Sequence, residues 1–163
     1  MTLPLATIAA KVMTLPITTF PRTLDKLRAL LADGEVPTPV ISAVLASDPV
    51  LSAALLGRAN ASAPSEPTRV AHAAVVLGTA TVQGIVEAAR PLDPALNKVM
   101  AELYGLANAT ATMCHILGET SRVAAIAGVD SETLHSIGLI HDLGSIAACS
   151  LFPAAVAETA HHA

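Results

Sequence analysis

From Leu24 to Leu139 the apolar residues recur at intervals of three and four, and prolines, glycines and Asp caps punctuate the runs. That spacing puts them along one face of a helix, whereas a half-buried strand needs strict alternation. No useful run of alternation occurs, and Val and Ile fall at helical spacing too. The expected class is therefore all-α and multi-helical. With two Phe, one Tyr and no Trp, the core has to be built from Ala, Val, Leu and Ile. Such side chains fill little space, so the helices must pack closely. The many short runs argue against a simple up-and-down bundle.

The punctuation sets the expected elements. Met1 to Met13 reads as a short helix with Leu5, Ile8, Ala9 and Val12 on one face, and Leu15 to Pro21 as an extended lead-in, since residues before proline avoid the helical region. Thr23 caps a helix carrying Leu24, Leu27, Leu30 and Leu31, which Gly34 ends. A short helix with Val40, Ile41, Val44 and Leu45 follows Pro37 and Pro39. Ser47-Asp48-Pro49 restarts the chain, with Asp48 as N-cap and Pro49 at the first helical position, and that helix runs to about Asn60. Ala61 to Thr68 reads as a loop. A helix over about Arg69 to Leu77 breaks at Gly78 and restarts at Thr79, to run to about Ala89.

Arg90-Pro-Leu-Asp-Pro94 is the strongest internal punctuation, and it divides one domain (1–163) into two lobes, about 15–90 and 95–163. A long helical region then runs from Ala95 to about Ala127, bent near Gly105 or Gly118 and stopped at Gly128. Asp130 caps the next helix, with Glu132 in its first turn, where the helix dipole favours negative charge. That helix leads to His141. A last one starts near Leu143 and is interrupted by Pro153.

Composition excludes several functions. The net charge is −4 with a pI near 5.8, so no basic field draws nucleic acid. Cys114 and Cys149 read as two buried thiols in a reducing compartment, and with no secretory signal the expected location is the cytoplasm. No run of about 18 apolar residues lacks a polar interruption, so no membrane span is expected. The high mean hydropathy points instead to an apolar patch that meets a protein partner or a second copy.

Gly138-Leu-Ile-His-Asp-Leu-Gly144 sets two chemically capable residues inside an apolar helical run. Leu134, Ile137, Gly138 and His141 share one helical face, which directs His141 to the core. Asp142 lies about 100° further round. Adjacent His and Asp at a helix break can both reach one metal ion. The competing reading is a buried, hydrogen-bonded histidine and an aspartate that caps the next helix. Arg58 is a candidate phosphate clamp, or else a solvated side chain, and Asn60 a helix terminator. His72 reads as a core or boundary histidine, and His161 and His162 as a tail.

The stretch around His141 and Asp142 resembles the signature of the HD superfamily, and the rest of the chain narrows the likeness. Leu15-Pro to Pro21, followed by Leu27 and Leu31, resembles the opening of the HDOD domain, the HD-related output domain of bacterial signalling proteins. Ser47-Asp-Pro-Val-Leu through Arg58-Ala-Asn60-Ala61 is similar to that family's DPxLxxxLLxxANS segment. Ala71 to Gly78 is similar to its AxxxLG segment, and Leu151-Phe-Pro153 to the LFP that often follows the His-Asp pair. The resemblance implies an N-terminal helical lobe packed on an HD-like lobe, shortened here because the chain ends soon after Pro153. It also implies a mostly non-catalytic regulatory role, beside receiver, diguanylate cyclase or phosphodiesterase modules.

The family pattern also sets a ligand count. An HD phosphohydrolase needs a His on an earlier helix, the His-Asp pair, and a later Asp to hold a metal that activates water. Where the resembled family tends to keep the earlier His this chain reads Tyr104-Gly-Leu-Ala107, which puts Leu106 in its place. His115 lies nine residues on, about 180° round the helix, and is a poor substitute. No Asp follows Asp142, Glu158 stands in only if the last helix folds back, and Ser145 sits where catalytic relatives often carry Lys. The expectation is a regulatory, protein-interaction module with a degenerate His141–Asp142 site, no metal and no cofactor. The rivals are a metal-dependent phosphohydrolase and a cyclic-dinucleotide or nucleotide sensor using Arg58.

Overall fold

The computed structural model describes residues 16–62, 66–120 and 128–154, and over these the protein is almost wholly helical. The helices are α1 (Pro21–Ala32), α2 (Thr38–Leu45), α3 (Pro49–Ser62), α4 (Val70–Ala88), α5 (Asn97–Thr120), α6 (Ser131–Ile140) and α7 (Leu143–Leu151). The expected helix over Met1–Met13, the end of the long helix towards Ala127, and the residues after Ala154 lie outside the described residues.

Local chemistry sets most of the starts. Asp48 accepts from the Val50 and Leu51 amides and launches α3. Asp130 accepts from Thr133 N at 2.7 Å and launches α6. α1 begins earlier than Thr23, because Pro21 already has the backbone angle of a first helical turn. α3 runs past Asn60 to Ser62, whose hydroxyl donates back to the Arg58 carbonyl. α4 is interrupted at Gly78, where φ is 73° and ψ 161°, a conformation that suits glycine. α5 stays helical through both Gly105 and Gly118.

One feature departs from the all-helical expectation. Thr18–Thr19 (β1) pairs in parallel with Arg90–Pro91 (β2), through Arg90 N to the Ile17 carbonyl and Leu92 N to the Thr19 carbonyl, each 2.8 Å. Each strand is two residues long, too short for an alternating pattern to show.

The apolar side chains gather in three clusters. The first joins Leu24, Leu27, Leu45, Leu51, Leu55 and Val86 with their neighbours on α1 to α4. The second joins Leu92, Leu96, Met100, Tyr104, Ile146 and Cys149, with Phe20 and Val50 reaching in from the N-terminal half. The third is Ala107, Ala111 and Leu139, where α5 meets α6. Ile140 packs against both the first and the third.

Among the described residues, two helical stretches are long and apolar enough to cross a membrane by length and composition, contrary to expectation: Val70–Ala88, with mean hydropathy 1.3, and Ser131–Leu151, with 1.2. Their polar interruptions are Ser, Thr, His and Gln with few charges, which lower the average little. The first stretch is broken at Gly78 and the second turns at His141–Asp142. The first supplies Val70, Ala73, Ala74, Val82 and Val86 to the first cluster.

Candidate functional site

His141 ends α6 and Asp142 precedes the first residue of α7. The expected inward-facing histidine is not found: His141 is exposed, and so is Ile137 one turn earlier. The face that α6 turns inward carries Thr133, Ser136, Gly138 and Leu139. The packed face is marked by small side chains, which a hydropathy pattern overlooks. His141 Nδ1 stands 2.7 Å from the Gly138 carbonyl. A carbonyl only accepts, so Nδ1 is the donor in this contact and carries a proton. Asp142 is half-buried; its side chain accepts the Ser145 hydroxyl at 2.5 Å and caps no amide of α7, whose Ser145 and Ile146 amides go to the Asp142 carbonyl. The two side chains are therefore each tied to a near neighbour, not joined as a buried pair. Burial raises the Cys149 thiol above its ordinary value, and the nearby Asp142 charge adds to this.

The register of α5 against α6 locates the rest of the expected ligand set. A Cβ on Gly118 would stand 2.7 Å from the Ser131 Cα, and one on Gly138 would stand 2.9 Å from the Ala111 Cα. The helices are thus antiparallel, with Gly118 beside Ser131 and Ala111 beside Gly138. Stepping on by equal amounts to the end of α6 brings His141 level with Asn108. Leu106 is 54% exposed and offers no donor atom. Among the described residues, no group of three His, Cys, Asp or Glu is placed to hold a metal ion. Among the described residues the HD-type metal set is therefore not assembled, and Glu158 lies outside them.

A different cluster lies further along the same helix pair. His115 on α5 faces Glu132 and His135 on α6, and the ring centroids of the two histidines are 6.1 Å apart. His115 Nε2 is 3.4 Å from Glu119 Oε1, and its Nδ1 is 3.6 Å from Glu132 Oε1. Nδ1 is buried and has no hydrogen-bond partner. Burial holds His135 below the ordinary histidine value, with the Glu132 charge opposing and His115 adding to the shift. His115, Glu132 and His135, with Asn108 and Ser136, line an open cleft of about 440 Å³ against Pro39, Ser42 and Ser47 of the N-terminal half and Val70 and Ala71 of α4. The sequence reading set His115 aside as a poor replacement for the missing ligand. The signal for its role lay in His115-xxx-Glu119 and Glu132-xx-His135, which matter only once α5 and α6 are known to be antiparallel neighbours.

The model of the HDOD domain family matches residues 17–163. This chain belongs to the HDOD family. Comparison with curated proteins finds no match, nor does comparison with solved structures.

Within this HDOD domain the Asp48-Pro49 segment does more than start a helix. Asp48 is 2% exposed and also accepts the hydroxyl of Thr19, which is itself fully buried on β1. Tyr104 lies beside them, donating to the Thr18 carbonyl at 3.4 Å and meeting Phe20 edge-on at 5.1 Å between ring centroids. The buried Asp48 carboxyl group thus ties β1 to α3, and Tyr104 of α5 adds its own bond to β1, next to the second apolar cluster. Burial raises Asp48 above its ordinary value, while hydrogen bonds from Leu51, Thr19 and Val50 oppose this. Burial and the Asp48 charge push the Tyr104 phenol far above its ordinary value. Arg58 and Asn60 are both exposed on α3, about 200° apart round the helix, and neither lines the histidine cleft. His72 is half-buried at a boundary of α4.

Proposed function

We propose that this HDOD domain is a non-catalytic protein-interaction module of bacterial signal transduction, working in the cytoplasm, with His141–Asp142 as a structural turn. The observation that carries the reading is an exposed row on α5: Leu106 at 54%, Met113 at 57% and Ile116 at 44%, with exposed Ala109 between them. The position where a phosphohydrolase would carry a metal-binding histidine is the first member of this row. An apolar contact stands where a ligand would be needed.

The occupant that fits the row is a second copy of this chain. Its spacing of three, four and three reads the same in both directions. Two antiparallel copies therefore set Leu106 against Ile116, and Met113 against Ala109, about one two-fold axis. Between Glu102 and Glu119, α5 carries no charged residue; of its two titratable rings, Tyr104 is buried in the second apolar cluster and His115 lines the cleft. Joining two rows buries no unpaired charge, which is the arrangement that favours apolar association.

Sedimentation equilibrium tests the self-association: wild type is expected as a concentration-dependent dimer and Met113→Asp as a monomer. A wild-type monomer across the micromolar range would remove the second copy as the occupant. A phosphodiesterase assay with added manganese tests the non-catalytic half. Turnover that disappears in His141→Ala would overturn it.

A further inference from the structure

A second groove, sharing no residue with the histidine cleft, lies between β1, α3 and α7. Ile17, Val50, Leu143, Ile146 and Ala147 give it an apolar lining, Thr18 and Ser150 are its hydroxyls, and no charged side chain lines it. It holds about 290 Å³. That is about twice the roughly 150 Å³ cavity that takes up a benzene ring, so it has room for about two apolar side chains. Covering such a surface is favourable, and what covers it is the question.

Pro16, the first described residue, stands on the rim of this groove. The chain before it therefore reaches the fold at the groove itself. Residues 1–15 lie outside the described residues, but their sequence is complementary to the lining. The helix that its spacing predicts puts Leu5, Ile8, Ala9 and Val12 on one face. Lys11, the one charged side chain before Pro16, falls about 110° from the middle of that face, on the side left in water.

We infer that the N-terminal segment of this chain is the occupant of the groove, with Ile8 and Val12 laid against Val50 and Ile146. The lengths agree. Leu5 to Val12 spans about 12 Å as a helix, and Met13 to Leu15 reaches up to about 10 Å, enough to turn that helix back beside Pro16. So short a tether sets an effective concentration of the order of millimolar, which a separate protein with the same apolar face has to outcompete. Neither surface brings a charge into the contact, so none is buried unpaired. The other end of the chain fits less well: after Ala154 it offers Val156 alone as a large apolar side chain, beside Glu158, His161 and His162. Docked in this way, the segment braces α7 at Leu143, directly after the His141–Asp142 turn.

Nuclear Overhauser spectroscopy on the full chain, labelled at the Ile, Leu and Val methyls, tests the contact. Cross-peaks are expected from Ile8 and Val12 to Val50 and Ile146. Ile8→Asp/Val12→Asp should remove them and shift the Val50 and Ile146 resonances, while the methyls of Leu24, Leu55 and Val86 in the first cluster keep their positions and show that the variant folds. Lys11→Glu, on the outward side, should leave the cross-peaks in place. Groove methyls with no cross-peak to residues 1–15 would overturn the proposal, as would cross-peaks lost in Lys11→Glu. So would cross-peaks from Val156 in their stead. A mixture of labelled and unlabelled chains separates the last case: cross-peaks that arise only between chains would make a second copy the occupant and overturn it too.

Discussion

Gly138 packs against Ala111 so closely that a Cβ added to Gly138 would stand 2.9 Å from the Ala111 Cα, and 3.0 Å from both Cys114 Sγ and the Thr110 carbonyl oxygen. Two of those three neighbours are backbone, which cannot turn aside as a side chain can. The third apolar cluster, built from Ala107, Ala111 and Leu139, depends on this approach.

Gly138→Ala should therefore destabilise the protein by about 1–3 kcal/mol, as overpacking does, although alanine is the better helix former by about 1 kcal/mol. Gly84 in α4 is the control: its Cβ would meet nothing within 4 Å. Gly84→Ala should leave stability unchanged or raise it by up to about 1 kcal/mol. Urea unfolding of both variants checks the contrast, and equal effects would mean that α5 and α6 do not approach as described.

The same contact shows what the sequence could and could not convey. Asp48-Pro49, Asp130 and Gly78 marked their boundaries correctly, because a cap or a left-handed residue acts on the few residues beside it. The inward face of α6 was right at Gly138 but wrong at Ile137 and His141, because the face is completed by Thr133 and Ser136, which carry little hydropathy signal. The Thr18–Arg90 pairing and the burial of Asp48 against Thr19 depend on chain segments far apart in sequence. His115 acquired its neighbours only when the antiparallel register of α5 and α6 was fixed.

His141→Ala was expected from the sequence to remove a core hydrogen bond. With His141 exposed and bonded only to the carbonyl of its own helix, the change should stay within about 0.5 kcal/mol of wild type. A chemical-denaturation midpoint measures this directly. A loss several times larger would put the ring back in the core.

Leu106→Lys should weaken self-association without unfolding the protein, because Leu106 is 54% exposed and belongs to no described core cluster. In the antiparallel pairing, each new ammonium would face Ile116 of the other copy and lose water without gaining a partner. Sedimentation and circular dichroism together separate the outcomes: a monomer with unchanged helicity is expected. A dimer of undiminished strength would place the interface elsewhere.

Asp48 should give stability a pH dependence of unusual sign for a carboxylate. Its folded value is raised above the ordinary 3.8, chiefly by burial. Between those two values the folded protein holds the proton that the unfolded chain has released. Stability contributed by this group is therefore fully present below the unfolded value and is lost as pH rises through the raised folded value. Asp48→Asn keeps an oxygen for the Val50 and Leu51 amides, since asparagine is an equally good N-cap, and places an amide next to the Thr19 hydroxyl. It removes the titration. Asp130 shifts the other way, lowered first by its hydrogen bond from Thr133, but it is present in both proteins and cancels in the difference. Urea midpoints taken from about pH 4 to about pH 8 should show Asp48→Asn gaining on wild type as pH rises through the window, then running parallel. If wild type gained on the variant instead, the hydrogen bonds would outweigh burial, and the carboxylate itself would be what holds β1 and α3 together.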